Sequence, residues 1–151
     1  MRAVKALEGL KQKYPQFNLN GDKNIWIIKP AGSSRGRGIV LYKNLVEILD
    51  LCKQKESQFI AQKYIENSLI VKSRKFDIRQ WVLVTDWNPL TVWIYQEPYF
   101  RFPACDYNPN NIMDRFIHLT NNSVAKYAEE AKVSHEIEGN MWNLEEMQAY
   151  L

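Results

Sequence analysis

Cysteine and histidine are scarce: Cys52, Cys105, His118 and His135 are the only ones in 151 residues. Two cysteines cannot build the disulfide framework of a small secreted domain, and neither residue type offers a ligand-spaced pair for zinc. A reducing cytoplasm is the simplest compartment for such a chain. Long apolar runs are also lacking; no stretch approaches the roughly 18 residues of a membrane-spanning helix, and the charged start MRAVKALEGLKQKY has no apolar centre of a signal peptide. Neither membrane insertion nor secretion by that route is expected. A dominant charge is lacking too, since 20 Lys and Arg against 17 Asp and Glu leave +3. That excess falls short of a nucleic-acid-binding domain, so no nucleic acid is expected, and it suits phosphates, an acidic partner or a plain solvated surface equally well. Several catalytic signatures are missing: the Gly-Lys-Ser/Thr of a Walker loop, the third glycine of a dinucleotide fingerprint, the His-Arg-Asp and Asp-Phe-Gly of a kinase, and any Ser/His/Asp or Cys/His arrangement. No pair of carboxylates has a spacing that argues for glycosidase chemistry.

What is present is apolar material for one domain, 46% hydrophobic and 13% aromatic, enough for a packed core. Val4, Leu7 and Leu10 recur at helical spacing, so residues 2–14 read as an amphipathic helix that ends before Pro15 and packs on the segment after it. Residues 24–29 read as a strand stopped by Pro30, and 39–42 as another, with a Gly-rich loop between them. A helix is expected over 45–53 with Leu45, Ile48, Leu49 and Cys52 on one face, then strands near 58–65 and 68–71. Residues 77–85 read as one long strand, turned at Asp86-Trp87-Asn88-Pro89 into a second over 91–95, a hairpin. Residues 103–114 read as an irregular loop, 116–119 as a short strand, and 123–131 and 144–151 as helices, the last still running at Leu151. The class is α+β with a mostly antiparallel sheet and flanking helices.

The segment Lys29-Pro30-Ala31-Gly32-Ser33-Ser34-Arg35-Gly36-Arg37-Gly38-Ile39 combines glycines, which admit close backbone approach, with a lysine and two arginines. It suits polyphosphate; a solvated basic hairpin loop accounts for it as well. In Lys75-Phe76-Asp77-Ile78-Arg79-Gln80-Trp81, strand alternation puts Lys75, Asp77 and Arg79 on one face, where three charges need each other or a charged ligand. An internal salt bridge from Asp77 to Lys75 or Arg79 is the plainer alternative. Arg101, between aromatics, reads by itself as a cation–π partner. In His118-Leu119-Thr120-Asn121-Asn122-Ser123 small polar groups precede a helix, and Asn122 or Ser123 can be simply its N-cap. Trp26, Trp81, Trp87 and Trp93 read as core or hairpin packing.

Taken in order, Lys29-Pro30 with Ser34 to Ile39, Gln62-Lys63-Tyr64-Ile65, Lys75 to Arg79, Arg101-Phe102 and His118 to Asn121 resemble the tubulin tyrosine ligase-like family. Five motifs in order are far more specific than any one. The likeness runs from about Asn24 onward, which makes 1–23 an N-terminal helix and linker and 24–151 a partial catalytic domain. Thr85 to Leu90 and Asn121-Asn122-Ser123 look most like the tubulin monoglycylase branch. The resemblance implies an ATP-grasp fold, with ATP between two α+β lobes and Mg2+ bridging its phosphates. It implies that Lys29, Arg35, Gly36, Arg37, Gly38 and Ile39 face phosphates and that Gln62, Lys63, Tyr64 and Ile65 face adenine. Lys75, Asp77, Thr120 and Asn121 would complete the ATP pocket. Arg79 and Arg101 would be the catalytic cations facing the reacting phosphate or the incoming carboxylate, with Asn122 and Ser123 beside the amino acid.

The implied reaction adds glycine to glutamate side chains of tubulin's acidic C-terminal tails on microtubules, through an acyl phosphate. Cytoplasm, cytoskeleton and the axoneme of a cilium or flagellum are the implied places. One departure stands out: the family's metal-binding Asp and Glu-x-Asn do not follow Asn121, so no metal ligand is assigned, the second lobe is expected to be incomplete, and activity of this chain alone is in doubt. A polyglutamylase of the same family, against which Asn122 speaks, and an inactive nucleotide- or microtubule-binding fragment are the alternatives.

Overall fold

The computed structural model describes residues 2–54, 58–129, 133 and 135–151, and the chain divides into two compact units, Met1–Leu69 and Ile70–Leu151. Every strand pairing among the described residues is antiparallel, in keeping with the expected α+β class, although the strands form three small sheets.

In the first unit, α1 (Arg2–Lys13) ends before the 3₁₀ turn Pro15–Asn20. Its apolar stripe does not pack as expected: Val4, Leu7 and Leu10 are exposed and the helix buries no residue. Leu10, near its end, lines a cleft with Tyr14, Phe17, Leu19 and Ile65. The β-branched and aromatic run Ile25-Trp26-Ile27-Ile28 makes β1 (Trp26–Pro30) the centre of a sheet, with β2 (Val40–Tyr42) and β3 (Phe59–Lys63) on its flanks. Pro30 does not stop the strand before itself; it is the terminal residue of β1, opposite Phe59, a place where a missing N–H is tolerated. The helix α2 (Leu45–Gln54) buries Ile48 alone of its expected stripe, leaving Leu45, Leu49 and Cys52 exposed. Ile25, Ile27, Ile28, Leu41, Ile48 and Tyr64 are the buried apolar groups.

The second unit opens on a tight turn in which Lys72 and Ser73 both take left-handed backbone angles (φ 47° and 61°). The N–H groups of Val71 and Arg74 each donate to the other's carbonyl at 2.9 Å across it. The expected strand over 68–71 is reduced to this one bridge. The expected long strand over 77–85 is broken in two. β4 (Asp77–Arg79) pairs with β7 (Tyr99–Arg101), which pairs in turn with β8 (Met141–Trp142), whereas β5 (Val82–Trp87) pairs with β6 (Leu90–Ile94). At the break the Gln80 amide donates to the carbonyls of Trp81 and Tyr95, beside the backbone bond from the Tyr95 N–H to the Trp81 carbonyl at 3.0 Å. The hairpin itself is as expected, with Trp87 opposite Leu90 and a cis Asn88–Pro89 peptide at the turn. Its tryptophans are not core packing: Trp81, Trp87 and Trp93 are exposed.

One core cluster of this unit is Val71, Phe100, Phe102, Ile137 and Met147, with Phe76, Trp142 and Leu144 against it, and a second is Ala104, Cys105, Ile117 and Ala125. Residues 103–114 form no regular element, as expected, yet Pro103, Ala104 and Cys105 are buried. Residues 115–118 form a helix, α3 (Arg115–His118), in place of a strand, because the Asp114 carboxylate accepts from the Phe116 N–H and caps it. α4 (Asn122–Ala125) starts after Asn121, which occupies the cap position without a side-chain bond, so neither Asn122 nor Ser123 is the cap. Of the longer helix expected there, residues 130 and 131 lie outside the described residues. α5 (Leu144–Tyr150) begins at a reciprocal cap between Asn143 and Glu146 and ends one residue short of the terminus.

Candidate functional site

In the first unit, Lys29 near the end of β1 donates its Nζ to Gln62 Oε1 on β3 at 2.8 Å, so two of the expected nucleotide-facing side chains already touch. The loop leaving β1 turns on residues with left-handed angles, Arg35 (φ 59°), Gly36 (φ 78°) and Gly38 (φ 69°). A Cβ at Gly38 would stand 2.9 Å from Pro30 Cγ, so both the angle and the space require glycine there.

Lys63 has a structural task that its motif position does not reveal. Its Nζ donates to the carbonyls of Asn20 (2.7 Å) and Ile25 (3.1 Å) and pairs with Glu66 Oε1 at 2.6 Å. Glu66 is buried, and its carboxylate also accepts the N–H groups of Lys23 and Ile25, both at 2.7 Å. Burial raises the Glu66 pKa, but the Lys63 hydrogen bond and the two backbone N–H groups outweigh it and hold the group below its ordinary value. Tyr64 is buried and its N–H donates to the Ile25 carbonyl at 3.0 Å, while Ile65 is exposed.

In the second unit three separate motifs converge. Asp77 on β4 stands opposite Arg101 on β7. Arg101 donates from Nε to Asp77 Oδ1 at 2.9 Å and from Nη2 to Oδ2 at 2.8 Å, and the Thr120 hydroxyl donates to Oδ2 at 2.8 Å. The internal salt bridge foreseen from Asp77 to Lys75 or Arg79 is thus made to Arg101 instead, because antiparallel register sets these two side chains face to face while Lys75 and Arg79 lie along the same chain. Arg101 is correspondingly no cation–π residue. The Asp77 hydrogen bond raises its pKa above the ordinary arginine value, burial opposing, so it stays cationic.

Arg79 shares the Asp77 face of β4, its guanidinium lying 4.3 Å from the Trp81 ring centroid. Its Nε is buried without a hydrogen-bond partner. Lys75 is half-buried, and its charge acts on His118, whose pKa is lowered chiefly by burial and further by Lys75, against the hydrogen bond to the Asn111 carbonyl. Thr120 is buried, Asn121 and Ser123 are half-buried, and Asn122 is exposed at the start of α4.

Arg74 was invisible to sequence reasoning because Arg-Lys ahead of a strand reads as a solvated pair. It is fully buried, stacks on Phe102 at 5.6 Å and donates Nη1 to the Pro103 carbonyl at 3.0 Å and to the Asn140 side chain. Its Nε and Nη2 have no partner; burial lowers its pKa, with Asp106 and Glu136 offsetting part of the shift. The described residues contain no group of three or more His, Cys, Asp or Glu able to hold a metal ion, and no helix among them is long and apolar enough to cross a membrane.

What the second unit offers is therefore a fixed guanidinium beside a hydroxyl and further cations, an arrangement for oxyanions. The whole chain, residues 1–151, matches the tubulin-tyrosine ligase family. It is 60% identical over 126 residues to tubulin glycylase 3C of Tetrahymena thermophila, covering 83% of this chain and 12% of that protein. To a tubulin monoglycylase of Homo sapiens it is 43% identical over 157 residues, 99% of this chain and 20% of the relative. To a protein monoglycylase of Homo sapiens it is 44% identical over 144 residues, 91% and 17%. The chain thus spans between 12% and 20% of the length of these relatives.

Proposed function

The chain belongs to the tubulin-tyrosine ligase family, and from that premise we propose that it serves an ATP-dependent ligase joining glycine to glutamate side chains of tubulin's acidic C-terminal tails. Its α+β, antiparallel build is part of the family's ATP-grasp-like domain. The observation that carries the reading is the meeting of Asp77 with Arg101 and Thr120, 24 and 43 residues away along the chain, in a chain similar to proteins named as glycylases.

In the reaction a glutamate carboxylate oxygen attacks the γ-phosphorus of ATP and ADP leaves. The glycine amine then attacks the acyl carbon of the resulting acyl phosphate, phosphate departs, and the amine gives up a proton as the isopeptide bond forms. Anions are brought together at both steps, and fixed cations offset their repulsion. We assign Lys29 and Arg35 to Ile39, Gln62 to Ile65, and Lys75, Asp77, Thr120 and Asn121 to ATP. Arg79 and Arg101 act at the reacting oxyanions, with Asn122 and Ser123 near the amino acid. Mg2+ would accompany the nucleotide and offset charge on its phosphates, and no residue of this chain is assigned to hold it. Cytoskeletal action, with a cilium or flagellum axoneme as its place, belongs to the same reading.

The test is a competition between labelled glycine and labelled glutamate on unmodified tubulin, using the longest gene product that carries this chain. Preferential incorporation of glycine supports the proposal. Preference for glutamate would overturn the glycine assignment and leave an ATP-dependent tubulin ligase.

A further inference from the structure

The order β2-β1-β3 puts β3 at the edge of its sheet among the described residues. The Tyr64 N–H donates to the Ile25 carbonyl at 3.0 Å, so these two residues form a hydrogen-bonded rung and the backbone groups of Lys63 point the other way, to the open edge. By the same alternation the Ile65 N–H turns outward. Behind that edge the rung is completed by side chains. The Ile25 N–H donates to Glu66 Oε1 at 2.7 Å, and the Tyr64 carbonyl accepts from Lys63 Nζ at 3.2 Å. Lys63 Nζ and Glu66 Oε1 are themselves paired at 2.6 Å, with the Glu66 side chain 2% exposed. The opposite wall is fixed as well: Asn24 takes a left-handed φ of 56°, and the Lys23 and Ile25 N–H groups on either side of it converge on the one carboxylate. Strand alternation puts the Lys63 side chain on the Trp26 and Ala61 face of the sheet, away from Lys29 and Gln62. It works from behind the segment and leaves the edge itself clear.

We propose that Glu66, acting through Lys63, is a positioning residue that holds the backbone of residues 63–65 in the one orientation able to tell the nucleotide's base. This rests on the ligase reading, which places ATP at Gln62 to Ile65. An outward carbonyl on Lys63 accepts and an outward N–H on Ile65 donates. Adenine offers the complement, an amine donor at N6 and an acceptor at N1, whereas guanine offers an acceptor at O6 and a donor at N1 and meets like with like. Backbone groups discriminate in this way only while their direction is fixed, since a misplacement of about 1 Å costs on the order of 100-fold. An ion pair taken out of water supplies that fixity, because either partner left alone would be a costly buried charge.

The experiment uses the longest gene product that carries this chain. Equilibrium binding of ATP and of GTP, each with Mg2+, is measured by calorimetry, together with KM for ATP and for glycine. Glu66→Gln is expected to lower the preference for ATP over GTP ~10-fold or more and to raise KM for ATP ~10-fold, with KM for glycine changed less than ~2-fold. Lys63→Met, which leaves the carboxylate on its two N–H donors, should shift the preference in the same direction. Ile48→Ala loosens the same unit from its buried core and should lower the yield of folded protein without moving the preference.

An unmoved preference in either Glu66→Gln or Lys63→Met, or an equal shift in Ile48→Ala, would overturn the proposal and leave the pair a purely structural tie. Should Glu66→Gln fail to fold, Lys63→Met decides, since it keeps both backbone bonds to the carboxylate. Failure of the ligase reading looks different. Unmutated protein that binds neither nucleotide would sink that reading and this proposal with it. Unmutated protein that binds ATP selectively without using glycine would count against the glycine assignment alone, with the base preference of the variants still deciding the part of Glu66.

Discussion

Single residues carry most of what distinguishes this chain from a generic α+β fragment, and the clearest is Glu66. A carboxylate that is 3% exposed and satisfied by Lys63 and two backbone N–H groups is held below its ordinary pKa in the folded state. The unfolded chain therefore binds a proton at a higher pH than the native one does. Stability from this group is complete above the unfolded carboxyl value near ~4.3 and is lost as pH falls through the lower folded value. Amide exchange at Lys23 and Ile25, whose N–H groups point at Glu66, should accelerate as pH is lowered below ~4.5, beyond the intrinsic pH effect. Glu66→Gln should remove that dependence and destabilise the first unit by ~2–4 kcal/mol near neutral pH, since Lys63 is left without its charge partner. Unaltered exchange at Ile25 in the variant would show that Glu66 does not hold this corner. Gly21 belongs to the same arrangement: at φ 65° a Cβ there would collide with the Glu66 side chain, so the buried carboxylate requires glycine at this turn.

At the scale of elements, the β5–β6 hairpin is the anomaly. Ordinary half-buried strands alternate, apolar toward the core and polar toward water, yet all six residues of β5 are exposed and no residue of β6 is buried. Leu83 and Trp93 are cross-strand partners and both are exposed. One charge, Asp86, stands in the fifteen residues from Trp81 to Tyr95, too little to keep two free strand edges from pairing with other chains. The isolated 151-residue chain is expected to self-associate at micromolar concentration. Placing Lys at Leu83 together with Glu at Trp93 should raise the concentration needed by ~10-fold, ~1.4 kcal/mol, with little cost to a pair already in water. Sedimentation velocity measures this; identical association of the variant would move the interface elsewhere. The turn of this hairpin was readable because Asp, Asn and Pro are local turn chemistry, but the break before it was not, because β4 and β5 take different strand partners, β7 and β6.

For the whole molecule, the net charge of +3 and the proposed acidic tail meet as opposite charges on exposed surfaces. Binding of a glutamate-rich tubulin-tail peptide should weaken as ionic strength rises from ~0.01 M to ~0.15 M, over which the screening length shrinks from ~30 Å to ~8 Å. Titration at the two salt concentrations decides it, and salt-independent affinity would point to an apolar contact. The match to the family over residues 1–151 takes in the exposed helix α1, whose Val4, Leu7 and Leu10 stripe the first unit leaves uncovered.

Local chemistry alone settled a good deal: helices α1 and α2, the β1 and β2 strands around a glycine loop, the hairpin and the antiparallel class. Each depends on residues within a few positions of one another, where periodicity, caps and turn residues act directly. Tertiary structure decided which charge meets which. Asp77 faces Arg101 across a register that no spacing in the sequence encodes. Lys63, a motif residue, is drawn into holding Glu66 and three carbonyls. Arg74, one residue before a motif lysine, is the side chain sealed in the core. A charged side chain can reach many partners along a sequence, and only the packed chain selects one, because desolvation makes every charge taken from water depend on the groups the fold sets around it.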